Sequence, residues 1–146
     1  MMNRKSYAQS ARELRQALKH RWPGVKFSVT KSGRNCADVA WVDGPTWEQV
    51  KRLVAPFEGA DFDPMQDLET PRDNGSGIKY IFPCRDFSET FLIDTLAAMK
   101  EHGFRPLPIL EYGWNGEPHL NFDGLKDEPG CSDRHWAERF LVDREG

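Results

Sequence analysis

Three groups of residues in this 146-residue chain carry side chains capable of chemistry. The first is the thiols and imidazoles: Cys36, Cys84 and Cys131 with His20, His102, His119 and His135. A structural zinc site takes four such ligands in close pairs. Cys131 and His135 stand four apart, and one pair does not make a site. A nucleophilic cysteine needs a base within hydrogen-bonding reach. Arg85 beside Cys84 would lower the thiol pKa, yet nothing in the sequence brings a histidine to it. The second group is the carboxylates Asp61, Asp63, Asp67 and Glu69. They lack the regular spacing and mid-loop glycine of a calcium loop and read as a solvated acidic loop. The third is Arg12, Arg15 and Lys19, three cations on one side of the first helix, open to solvent or to an anionic partner. Neither the phosphate-binding glycine loop nor the dinucleotide pattern occurs. These groups assign no catalytic residue, no metal and no cofactor, and point to binding rather than reaction.

Charge strengthens that reading. The net charge of −3 is unevenly spread. Residues 1–34 hold nine Lys or Arg against one acid, Glu13, a formal +8; residues 35–146 hold 11 basic and 22 acidic residues, a formal −11. A split of this kind orients a field that can steer a charged partner, or lets a basic helix neutralise an acidic body. Among the aromatics, Trp47 opens the second helix off its apolar stripe and Trp114 adjoins a turn. Tryptophan and arginine concentrate binding energy at interfaces. The candidate partner-binding residues are therefore Arg12, Arg15, Lys19, Trp47, Asp61, Asp63, Asp67, Glu69 and Trp114.

The elements that position them follow from periodicity. Tyr7, Ala11, Leu14 and Leu18 recur at helical spacing, so a helix is predicted from Ser6 or Ser10 to His20, stopped by Pro23 and Gly24. Val25, Phe27 and Val29 alternate with polar residues as a strand, Ser32–Asn35 turns, and Ala37, Val39 and Trp41 share a face of the return strand. A second helix is predicted from Trp47 to Pro56, with Val50, Leu53, Val54 and Phe57 inward. Residues 58–77 read as a long acidic loop whose Asn74-Gly75-Ser76-Gly77 end is the most flexible part. A third strand covers Ile78–Phe82, and Pro83 marks its end or a sheet edge. A helix opening at Asp86 or Ser88 turns Phe91, Leu92, Leu96 and Met99 inward and ends at Gly103. Asn115-Gly116 centres a hairpin within Leu107–Phe122, and a helix over Ser132–Leu141 points Trp136 and Phe140 inward. The class is α+β: a small antiparallel sheet of three or more strands against helices, with a C-terminal hairpin and short helix. The length fits a single domain over residues 1–146.

The N-terminus enters polar helix-forming sequence directly, so no signal peptide is expected. No window approaches the roughly 18 apolar residues of a membrane span, and three scattered cysteines suit a reducing compartment. A cytoplasmic protein with no membrane partner is expected.

Four stretches together resemble a known family: Pro23-Gly24-Val25-Lys26-Phe27-Ser28-Val29, Val39-Ala40-Trp41-Val42-Asp43-Gly44-Pro45-Thr46, Phe62-Asp63-Pro64-Met65-Gln66-Asp67, and Tyr80-Ile81-Phe82 with Arg85 and Ser88. Their order and spacing are similar to the twenty-ninth large polyvalent protein-associated domain over residues 10–95, leaving residues 96–146 as an extension. The resemblance implies a phage or other mobile genetic element and brings no catalytic residues with it. The function expected is a non-catalytic protein-binding module, a stoichiometric inhibitor of a host defence complex such as a CRISPR effector. Two alternatives from other classes stand beside it. One is an enzyme acting on nucleic acid or protein through Cys84, Arg85 and His135. The other is a DNA-binding accessory domain using the basic first helix, which the net acidity disfavours.

Overall fold

The first helix starts at Ser6. In the computed structural model, which describes residues 5–63, 65–125, 127, 128 and 131–146, the Ser6 hydroxyl accepts the Gln9 N–H at 3.2 Å and caps α1, Tyr7–Arg21. Ser10, the alternative start, is buried instead, and its hydroxyl accepts the Gly77 N–H at 2.8 Å. Ala11, Leu14 and Leu18 form the buried stripe. Strands β1, Ser28–Ser32, and β2, Cys36–Val42, pair antiparallel from Ser28 opposite Ala40 to Ser32 opposite Cys36. Gly33 and Asn35 turn between them at positive φ, a conformation that glycine and asparagine accept at least cost. Ala37, Val39 and Trp41 face the core, as the alternation predicts.

Helix α2, Trp47–Val54, ends in a 3-10 turn, Ala55–Phe57. The predicted acidic loop is a hairpin: β3, Ala60–Asp63, pairs antiparallel with β4, Leu68–Pro71. The Asn74–Gly77 segment, expected to be the most flexible, is pinned. The Asn74 side-chain amide donates to the carbonyls of Pro56 at 3.1 Å and Glu58 at 2.7 Å. The Lys5 N–H donates to the Gly75 carbonyl at 2.8 Å. A Cβ at Gly77 would collide with the backbone of Lys5 and Ser6, so glycine serves close approach there rather than freedom.

Strand β5, Tyr80–Asp86, completes the order β1-β2-β5. It runs through Pro83 at a sheet edge, where a missing N–H is tolerated. The Lys79 N–H meets the Asn35 carbonyl at 2.6 Å and the Asp43 N–H meets the Asp86 carbonyl at 2.7 Å. Start therefore faces start and end faces end. The antiparallel pairing expected throughout holds for β1 and β2, while β5 runs parallel to β2, because α2 in the connection returns the chain in the same sense.

The described residues fall into two compact units: residues 1–42 with 47–85, and residues 43–46 with 86–146. In the second, Asp43 sits at φ 58° and its carboxylate accepts the Ser88 N–H at 2.7 Å and hydroxyl at 2.6 Å. The Ser88 oxygen in turn accepts the Phe91 N–H at 3.2 Å, capping α3, Glu89–Glu101. The hairpin β6, Ile109–Tyr112, with β7, Pro118–Asn121, turns at Asn115-Gly116 as predicted. A short pair follows, β8, Asp127–Glu128, with β9, Cys131–Ser132. Helix α4, Asp133–Val142, buries Ala137 and Leu141. Trp136, expected inward, is 66% exposed; it lies about 100° round the helix from the buried Ala137, outside the stripe of Ala137 and Leu141. The α+β class, the hairpin and the short terminal helix stand as the sequence implies.

Glu58 is 6% exposed. Its carboxylate accepts the Ile81 N–H at 3.0 Å and stands 3.5 Å from the Lys51 ammonium. Removing a partner of a buried N–H costs about 1–3 kcal/mol, whereas a half-exposed ion pair contributes under about 1. Chemical denaturation should accordingly show Glu58→Ala destabilised by about 2 kcal/mol and Lys51→Ala by less than half of that. Gly77→Ala should cost about 1–3 kcal/mol through overpacking. Gly24→Ala, where a Cβ meets open space, should change stability by under about 0.5 kcal/mol.

Candidate functional site

Because α1 turns Ala11, Leu14 and Leu18 inward, Arg12, Arg15 and Lys19 are left exposed on one side. Arg15 spends one N–H on the Val29 carbonyl at 2.9 Å, which sets its guanidinium beside β1. Lys19 and Arg15 line one wall of a groove of about 380 Å³, and Lys26 and Phe27 line another, with Pro23 and Gly24 between. Lys26 escaped the sequence reading because it stands in the β-like run ahead of β1, outside the helical pattern. The segment's acid, Glu13, is held by Lys5 at 2.8 Å. Among the described residues, Arg12, Lys19 and Lys26 form no ion pair.

The four acids of the β3–β4 hairpin divide into two kinds. Asp61 accepts from the Arg72 guanidinium at 2.9 and 2.5 Å, and that hydrogen bond holds its carboxyl below the ordinary range. Glu69 pairs with Lys79 and accepts from the Tyr80 hydroxyl at 3.2 Å; the lysine, above all, lowers its carboxyl too. Asp63 accepts the Met65 N–H at 3.0 Å, and Asp67 turns the chain at φ 52°. Arg72 also reaches the carbonyls of Ala55 at 2.6 Å and Glu58 at 3.3 Å. The hairpin exposes three large apolar residues that the sequence reading passed over, Phe62 (53%), Met65 (92%) and Leu68 (54%). Pro64 lies outside the described residues.

Trp47 is 41% exposed, and its indole N–H donates to the Pro83 carbonyl at 3.0 Å, covering an acceptor on the edge strand. Trp114 is 100% exposed at the tip of the β6–β7 hairpin. The tip is closed by the Gly113 N–H to the Glu117 carbonyl at 2.8 Å and by the Gly116 N–H to the Gly113 carbonyl at 2.9 Å. Ile109 (61%) and Tyr112 (54%) are exposed on the same hairpin, Tyr112 donating to Glu89 at 2.6 Å.

Cys84 is exposed, and its sulfur lies 3.5 Å from the Phe82 carbonyl. Arg85, next in the chain, belongs to the same unit, whereas His135, edge-on to Trp136, belongs to the other. The Cys131 side chain lies outside the described residues. Among the described residues, no three His, Cys, Asp or Glu side chains gather as metal ligands, and no helix is long and apolar enough to cross a membrane.

A family model, the large polyvalent protein associated domain 29, matches residues 5–88, from the residue before the α1 cap to the α3 cap. No curated protein and no solved structure matches the chain.

The two paired acids set a pH dependence. A carboxyl lowered in the folded state stabilises above its unfolded pKa, and that stabilisation is lost as pH falls through the folded value. Amide exchange in β3 and β4 should therefore stay protected at neutral pH and lose protection below about pH 4. Arg72→Met should weaken protection at neutral pH and flatten the acid transition, an effect readable by NMR.

Proposed function

The chain belongs to the large polyvalent protein associated domain 29 family, and from that premise we propose that it is a non-catalytic protein-binding module of a phage or other mobile element, acting as a stoichiometric inhibitor of a host defence complex. The family is associated with polyvalent phage proteins. The observation that carries the reading is Trp114, wholly exposed at the tip of a hydrogen-bonded hairpin with Ile109 and Tyr112 exposed on its strands. A rigid aromatic loses little conformational freedom on docking and supplies a large apolar contact, the character of an interface anchor. The second feature in support is charge. Residues 35–146 carry a formal −11, complementary to the basic surfaces with which nucleic-acid-guided defence complexes hold their guides and targets. Such complementarity speeds and orients encounter more than it adds affinity. A CRISPR effector complex is the partner proposed, and the cytoplasm is the compartment in which it would be met.

Expression of the chain in a strain whose CRISPR effector restricts a phage should restore plating. Titration of the isolated effector's target cleavage should end near one chain per complex. Trp114→Ala should weaken binding by about 2 kcal/mol, roughly thirty-fold, the cost typical of a central aromatic anchor. Full inhibition at a small fraction of one chain per complex would instead indicate turnover. Unaltered inhibition by Trp114→Ala would remove the hairpin tip from the interface.

A further inference from the structure

The groove beside α1 contains more than the function proposed above uses. We propose that the groove between Arg15, Lys19 and Lys26 is a second, independent binding site for single-stranded nucleic acid. Four observations carry it. The groove is an open recess of about 380 Å³. Its walls bring together cations from two elements, Arg15 and Lys19 from α1 and Lys26 from the segment before β1. Lys19 and Lys26 have no carboxylate partner among the described residues, and the nearest acid in sequence on α1, Glu13, is engaged by Lys5. Phe27, which stands 5.8 Å from the Trp22 ring and 5.7 Å from the Trp41 ring, lines the same groove and is half-buried.

Residues four apart on a helix rise about 6 Å, so Arg15 and Lys19 space their charges along the axis as successive phosphates of an extended strand require. Arg12 continues the row one step toward the helix start. Lys19 and Arg21 also sit in the last turn of α1, where the helix dipole favours cations. A basic groove with an aromatic ring in its wall is the arrangement by which proteins track a backbone and stack a base without reading sequence. A small anion would be met by one or two of these cations, while a strand uses the whole row. Gly24 opens the groove toward solvent, since a Cβ there meets nothing within 4 Å.

That open position supplies a test that leaves the fold intact. Fluorescence anisotropy with a labelled oligothymidylate should show binding by the full chain that weakens about twenty-fold between about 50 and 200 mM salt, the slope of about −2 expected for three phosphate contacts on a single strand. Lys26→Ala should make the slope shallower by about 0.7. Gly24→Asp, which sets a carboxylate in the groove, should weaken binding by about ten-fold or more with an unchanged melting temperature. Trp114→Ala should leave oligonucleotide binding as it was, so failure here and failure of the inhibitor reading are separate events. The proposal is overturned by absence of binding at about 50 mM salt, by binding indifferent to Gly24→Asp and Lys26→Ala, or by a polyglutamate peptide bound as tightly as the oligonucleotide. The last result would assign the groove to an acidic protein.

Discussion

A buried carboxylate has to be met by donors or it destabilises the fold, and in the first unit everything around Glu58 is arranged to meet it. Its side chain takes the Ile81 N–H of the edge strand and faces Lys51 of α2. Its carbonyl takes Arg72 and Asn74. Those two side chains then hold what lies beyond them. Arg72 fastens the β3–β4 hairpin through Asp61, and Asn74 fixes the segment whose Gly75 and Gly77 receive the start of α1. One residue thus ties together helix, hairpin and sheet edge, and the exposed side of α1 is presented in a fixed direction as a consequence.

The same economy explains the edge of the sheet. An exposed strand offers unpaired backbone groups to any passing chain. Along β5 the Ile81 N–H is occupied by Glu58, Pro83 has no N–H to offer, and the Pro83 carbonyl is covered by the Trp47 indole. Trp47 therefore has a structural task of its own, which its position off the helical stripe did not disclose. Asp43 is comparable in the second unit. It leaves β2 at positive φ, and its carboxylate is the acceptor that orients Ser88 as the cap of α3. Both residues lie in the matched segment 5–88, and both bond to groups of the backbone or of a helix cap.

The charged surfaces separate once partners are seen. Of the four hairpin acids, Asp61 and Glu69 spend their charge on Arg72 and Lys79, so the acidic stretch presents less field than its composition suggests and more apolar surface, at Phe62, Met65 and Leu68. The basic side of α1 is the opposite case. Among the described residues Arg12, Lys19 and Lys26 form no ion pair, and Lys26 lines the same groove as Arg15 and Lys19 from a different element.

Periodicity carried the elements. Leu14 with Leu18, Val39 with Trp41, and Leu92 with Met99 announce which faces are inward, because burial of apolar surface obeys the 3.6- and 2-residue repeats of the backbone itself. Asn115-Gly116 announced its turn for a similar local reason, the need for positive φ. Local signals stop where a contact depends on residues distant in the chain. The hairpin at Ala60–Pro71 is stabilised by Arg72 and Lys79, the pinned Asn74–Gly77 segment by α1 and Glu58, and the parallel sense of β5 by the route of α2. Whether Trp114 and Trp136 lie outside, and whether Arg15 and Lys26 line one groove, are likewise matters of what else occupies the space around them. Spacing along a chain fixes which faces want burial; the partners that fill or leave open the remaining space are chosen by tertiary packing alone.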